Sequence, residues 1–266
     1  LLQVCYDEQP LGAIATNGVI HIPESVGYQI HISVWGDDEL SHRTRHADSL
    51  LERQLEAYRG DSRAVFVYTF TRNNISRAED VVRFLAQADA KITFNMFSAP
   101  TAYGGDLRHD AASLVATRRV MLEMMERYPD NVQFSAYNAM VHTHRLGLHD
   151  AFGCQYPRRN DSDFVGLGHS FRQYRTDLTW DRDAACCVSD TDCDDCRHYA
   201  AGSAVVTARL HRHAIDEDHL RGWLDYVDTY LAVWVKGYDK SPNLLDRVVA
   251  PPGCEIEPIK IDGANV

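Results

Sequence analysis

Ala64–Phe70 (AVFVYTF), the pair Asn73-Asn74, the run from Ser76 to Ala88 and Ala90–Phe97 (AKITFNMF) follow one another without interruption, and their reading decides the fold. AVFVYTF is a short apolar, β-branched and aromatic run, which reads as a buried strand, and the two asparagines read as its turn. Ser76 stands three residues before Glu79, the spacing of a capping box, so a helix is expected to Ala88. AKITFNMF reads as a second strand. It is followed by a loop, Ser98 to Gly105, holding Pro100 and two glycines, and by a long helix from Asp110 to Tyr128 closed by Pro129. Strands separated by helices of this length pair in parallel through right-handed crossovers, which implies an α/β sheet or barrel.

The same rhythm extends upstream. In Tyr28–Gly36 (YQIHISVWG) apolar Ile30, Ile32 and Val34 alternate with polar Gln29, His31 and Ser33, the period of a strand. A helix is expected from Ser41 to Tyr58 with Leu50, Leu51, Leu55 and Tyr58 on one side. Leu11–Gly18 reads as a short buried strand stopped at Asn17-Gly18. The first residues, which do not include an initiating Met, read as the middle of a helix. The expectation is that the chain begins part-way through its fold. Downstream, Val132–His144 (VQFSAYNAMVHTH) suits either a strand or a short helix. Leu146 to Asp183 is polar and without clear period, so irregular structure is expected there. Leu220, Trp223, Leu224, Val227, Leu231 and Trp234 mark an amphipathic helix ending at Gly237. The expected division is a partial barrel over 1–130, a cysteine-rich extension with its helix over 131–245, and a tail over 246–266.

With 266 residues, 45% apolar and 24% charged, the chain has the composition of a soluble globular protein. A formal net charge of -11 disfavours nucleic acid and anionic membranes as general partners, while leaving room for a local basic pocket such as Arg158-Arg159. No apolar run reaches the ~20 residues that span a bilayer, and no secretory signal is legible. Cysteine is used seven times, an odd number, with four crowded between Cys186 and Cys196. That is unlike a secreted disulfide framework, so a reducing, cytoplasmic setting is expected.

Two constellations carry candidate chemistry. In Cys186-Cys187-Val188-Ser189-Asp190-Thr191-Asp192-Cys193-Asp194-Asp195-Cys196, the Cys-x-x-Cys pair puts two thiolates on one tight turn. Cys186 or Cys187 can supply a third and Cys154 a fourth, a set that suits zinc or an iron-sulfur cluster equally by spacing. The bland alternative is reduced, partly buried thiols or a labile disulfide. The neighbouring aspartates raise thiol pKa values and argue against a free nucleophile. The second constellation lies at the C-terminal ends of four successive strands: Thr16-Asn17-Gly18, Ser33 with Trp35-Gly36, Asn73-Asn74, and Asn95 with Ser98. Ligand crevices of α/β folds lie beyond these ends, although such residues also simply form turns. The pairs His142/His144 and His211/His213 are spaced to share a strand face and suit metal, proton transfer or plain packing. The stripe Trp223, Tyr226, Tyr230 and Trp234 reads as helix packing.

The order ATNG (Ala15 to Gly18), HISVWG (His31 to Gly36), FVYTFTRNN (Phe66 to Asn74) and ITFNMFS (Ile92 to Ser98) resembles the distal strands of the radical S-adenosylmethionine superfamily. The later part is similar to its subset with a cysteine-rich C-terminal extension for auxiliary iron-sulfur clusters. The resemblance implies a partial (β/α) barrel lacking its first strands, an irregular cysteine-rich extension and a closing helix. It implies cleavage of S-adenosylmethionine to a 5′-deoxyadenosyl radical that modifies a peptide or small metabolite, with an electron-donor protein as a further partner. Carried over, Thr16, Asn17, Ser33, Asn73 and Asn95 would line the cofactor, and Cys154, Cys186, Cys187, Cys193 and Cys196 would hold the auxiliary cluster. The family's Cys-x-x-x-Cys-x-x-Cys loop and its Gly-Gly-Glu segment are missing from the sequence, so two strands carrying them are expected before Leu1. By itself the fragment is expected to be inactive. The alternative is a non-catalytic zinc- or partner-binding module on a relic barrel.

Overall fold

The structure, a computed structural model, describes residues 2–98, 105–147, 173–174, 180–181, 195–197, 206–207, 210–241, 250–252, 260–261 and 264–265. A parallel sheet of four strands forms its centre: β1 (Ala13–Thr16), β2 (Gln29–Val34), β3 (Ala64–Phe70) and β4 (Lys91–Met96), in strictly sequential order. The helices between them are α1 (Leu2–Glu8) ahead of β1, α2 (Asp38–Arg45) and α3 (Leu50–Tyr58) after β2, α4 (Ala78–Ala86) after β3 and α5 (Ala111–Arg127) after β4. The expected α/β class with parallel pairing is therefore observed. No described helix is long and apolar enough to cross a membrane.

Period-two alternation and the register together separate the two sides of the sheet. Ile32, Phe66 and Ile92 fall in one row, Val34, Tyr68 and Phe94 in the next, and Phe70 beside Met96 in a third. These side chains are all buried and pack under Leu51, Leu55, Val81, Val82, Leu85, Leu114, Met121 and Met124 from the helices. Each such burial contributes roughly 1.5–3 kcal/mol, so this side is where the sheet's stability resides. Edge-to-face rings run through it, Tyr68 to Phe70 at 4.9 Å, Phe70 to Phe94 at 5.4 Å and Phe94 to Phe134 at 5.2 Å. The opposite rows, His31–Val65–Lys91, Ser33–Val67–Thr93 and Thr69–Asn95, are largely polar.

Several elements differ from their sequence readings. β1 is a half-exposed edge rather than a buried strand, because β2 is its only partner among the described residues. The helix expected over Ser41 to Tyr58 is two helices, since His46 and Ser49 adopt left-handed backbone at φ 53° and 47°. The Asp38 carboxylate accepts from the Leu51 N–H at 2.6 Å, supplying the start of α3 with the cap that Ser49 does not provide. The Ser76–Glu79 capping box does not form: a 3-10 turn, Ile75–Arg77, leads straight into α4, and Glu79 pairs with Arg127 instead. The capping box lies at α5, where Asp110 and Ser113 bond each other reciprocally.

Val132–His144 is a short helix preceded by a single bridge rather than a strand. Ile92 and Val132 form a parallel bridge, with the Ile92 N–H donating to Asn131 O at 2.8 Å and the Gln133 N–H to Ile92 O at 2.7 Å. The chain then turns into α6 (Ala136–His142), capped by Ser135. His142 is thus on a helix, not a strand face shared with His144. His211 and His213 lie on the short α7 (Leu210–His213), and α8 (Glu217–Trp234) follows. Of the stretch expected to be irregular, the structure describes a two-residue antiparallel pairing, Gln173–Tyr174 with Trp180–Asp181. The tail contributes another, Lys260–Ile261 with Ala264–Asn265. Tyr226 and Trp234 of the aromatic stripe pack inward, against Tyr137 and His31.

One buried cation organises the long β1–β2 connection. Arg63, 3% exposed, pairs with Asp61 at 2.6 Å and donates to the carbonyls of Ile22 at 3.0 Å, Pro23 at 2.8 Å and Val26 at 2.5 Å. Its fork satisfies carbonyls that no strand partner reaches.

Candidate functional site

The polar side of the sheet is closed at one end and half open at the other. Near the N-terminal ends of the strands, His31 bonds Val233 O at 2.8 Å and meets the Trp234 ring at 4.5 Å, so the last turn of α8 forms a floor. Burial holds His31 below the ordinary histidine pKa, with the Val233 bond acting against it. Towards the C-terminal ends, Ser33, Val67 and Asn95 are half-buried, while Thr69 beside Asn95 is buried. Asn95 donates to Thr69 Oγ1 at 3.5 Å. Alternation continued past the strands brings Trp35 and Phe97 to this same side, and their rings meet edge to face at 5.7 Å. Two half-buried rings thus share a side with hydroxyl and amide groups, an arrangement suited to gripping a flat ring and a neighbouring polyol or amine. Ser33, Thr69 and Asn95 offer neutral hydroxyl and amide groups, which suit binding and orienting a ligand.

Two buried amides hold the strand ends in place. Asn74, 1% exposed, donates to Trp35 O at 2.8 Å and Thr69 O at 2.9 Å and accepts from the Thr71 N–H at 2.8 Å. Gln54 on α3, also 1% exposed, donates to Asn17 O at 2.6 Å and Ser33 O at 3.1 Å. Each spans two strand ends, so Trp35 and Ser33 are positioned from both sides.

Of the five residues expected to line a cofactor, Ser33 and Asn95 share the polar side. Thr16 falls in the row of Ile32, on the helix side, and its Oγ1 accepts from the Gly18 N–H at 3.1 Å. Asn17 is exposed, its side chain folded onto the Val19 N–H at 3.2 Å. Asn73 is exposed in its turn, and its neighbour Asn74 carries the buried bonds. Phe97 and Thr69 escaped the sequence reading, although extending the Ser33/Asn95 alternation by two residues reaches both Trp35 and Phe97.

Cys154, Cys186, Cys187 and Cys193 lie outside the described residues. Cys196 is described, half-buried, within Asp195-Cys196-Arg197. That tripeptide is docked beyond the C-terminal end of β4. The Arg197 N–H donates to Ser98 Oγ at 2.8 Å, two residues past β4. Asp195 lies 3.6 Å from Arg108, in the segment between β4 and α5. Among the described residues no cluster of three or more His, Cys, Asp or Glu side chains is placed to hold a metal.

His109 and His213 are buried as well. His109 bonds Phe70 O at 3.1 Å, and burial pulls its pKa down to about 4. His213 bonds the Tyr137 hydroxyl at 2.6 Å, and burial, assisted by nearby His219 and Arg212, likewise pulls it down to about 4. Comparison of the chain with protein-family models, with curated proteins and with solved structures found no match.

Proposed function

We propose that this chain is the distal part of a radical S-adenosylmethionine enzyme acting on a peptide or small metabolite, with the cofactor on the polar side of a partial (β/α) barrel. The observation that carries the reading is the convergence, at one end of a sequentially ordered parallel sheet, of the Trp35–Phe97 ring pair, Ser33, Asn95 and the docked Cys196. The group would supply reductive cleavage to a 5′-deoxyadenosyl radical when bound. Trp35 and Phe97 would hold its adenine, Ser33 and Asn95 would bond its ribose or methionine end, and α8 would exclude water from below. Cys196 would join Cys154, Cys186 or Cys187, and Cys193 around an auxiliary iron-sulfur cluster.

The sequence contains no Cys-x-x-x-Cys-x-x-Cys loop, so in this reading that loop comes from outside these 266 residues. Its strands would pair along β1, which has an open edge among the described residues. The same missing loop favours a second reading, a non-catalytic zinc- or partner-binding module.

Calorimetric titration of the chain with S-adenosylmethionine tests the first reading. Binding is expected, weakened about three- to tenfold by Ser33→Ala or Asn95→Ala and unchanged by Thr16→Ala. Absence of binding, or indifference to both polar-side substitutions, contradicts it.

A further inference from the structure

Arg197 is 2% exposed. A buried arginine is costly unless its donors are met. Its guanidinium donates to the carbonyls of His142 at 3.3 Å and Arg145 at 3.3 Å, and also to that of His144. These carbonyls lie at and beyond the C-terminal end of α6, where unpaired acceptors and the helix dipole both favour a cation. Asp195 lies 3.6 Å from its Nε. On the main chain, the Arg197 N–H bonds Ser98 Oγ at 2.8 Å and its carbonyl meets His142 Nδ1 at 3.4 Å. The peptide group bonded to Ser98 is the one joining Cys196 to Arg197, so the bond anchors the backbone of the cysteine. An arginine needed only to cap α6 would not require its own backbone to be tied to the end of β4.

We infer that Arg197 is a positioning residue that seats Cys196 beyond the C-terminal end of β4, clamped between α6 and Ser98. This rests on the reading of Cys196 as a thiolate ligand. Asp195 extends the clamp, reaching Arg197 and Arg108 at 3.6 Å each.

The test is the rate of Cys196 alkylation by iodoacetamide in the reduced, metal-free full chain, resolved by peptide mass spectrometry. Exposed Cys5 on α1 serves as the internal reference. Ser98→Ala removes only the main-chain anchor and is expected to speed Cys196 alkylation about three- to tenfold, with Cys5 unchanged. Arg197→Met is expected to speed it by about tenfold or more, an effect that Arg197→Lys largely reverses. If Arg197→Met fails to fold, Ser98→Ala decides alone. Cys196 rates within about twofold of the parent in Ser98→Ala overturn the clamp. Iron uptake is read separately. A variant-dependent Cys196 rate in a chain that takes up no iron leaves the clamp standing and removes the cluster reading. Iron uptake with Cys196 indifferent to Ser98→Ala removes the clamp and leaves the cluster.

Discussion

The Arg197 N–H and the Ser98 hydroxyl meet at 2.8 Å although 99 residues separate them. This one bond joins two features that are far apart in sequence, the end of the cysteine cluster and the end of β4.

Asn74 is the main tie between the ends of β2 and β3, through three buried hydrogen bonds. Asn74→Ala should destabilise the chain by about 2–3 kcal/mol, since it leaves Trp35 O, Thr69 O and the Thr71 N–H without their partner. Asn73→Ala, one residue away and exposed, should change stability by under ~0.5 kcal/mol. Urea unfolding of the two variants checks the contrast. Equal effects would mean that the strand ends are held by something else.

A Cβ at position 222 of α8 would lie 2.5 Å from the Tyr137 ring. That ring is fully buried and its hydroxyl is bonded to His213 at 2.6 Å, so it has little room to move. Gly222→Ala should therefore destabilise by about 1–3 kcal/mol, even though alanine in a helix interior is normally worth about 1 kcal/mol over glycine. A rise in melting temperature would show that α6 and α8 are not packed as described.

Acid should weaken the fold through its buried histidines. His109 and His213 both sit at about 4 in the folded chain, against 6.5 for an unperturbed imidazole. Between those values the unfolded chain takes up protons that the folded chain refuses. The contribution is therefore complete above pH 6.5 and is lost progressively as pH falls towards about 4. His31, lowered by burial, acts in the same direction. Replacing His109 and His213 by glutamine should flatten the slope of urea midpoint against pH in this window. An unchanged slope would place the acid sensitivity elsewhere.

Much of the sheet was legible because its two sides differ in polarity. Ile30, Ile32 and Val34 alternate with Gln29, His31 and Ser33, and the observed register preserves that alternation across β3 and β4. The same alternation placed Ser33 and Asn95 together. Thr16 misled, because as the last residue of β1 it aligns with Ile32 rather than with His31. The break between α2 and α3 carries no glycine or proline and depends on left-handed His46 and Ser49, conformations that local propensity disfavours. The capping bond from Asp38 to Leu51 and the clamp from Arg197 to Ser98 are tertiary contacts. Spacing along the chain does not encode them.

The central claim is tested most directly by anaerobic reconstitution of the chain with iron and sulfide, followed by metal analysis and a visible spectrum. The account predicts iron and acid-labile sulfide in near-equal amounts, broad visible absorbance, and loss of both on replacing Cys193 and Cys196. Tightly held zinc with no visible absorbance would contradict it and leave the binding-module reading in its place.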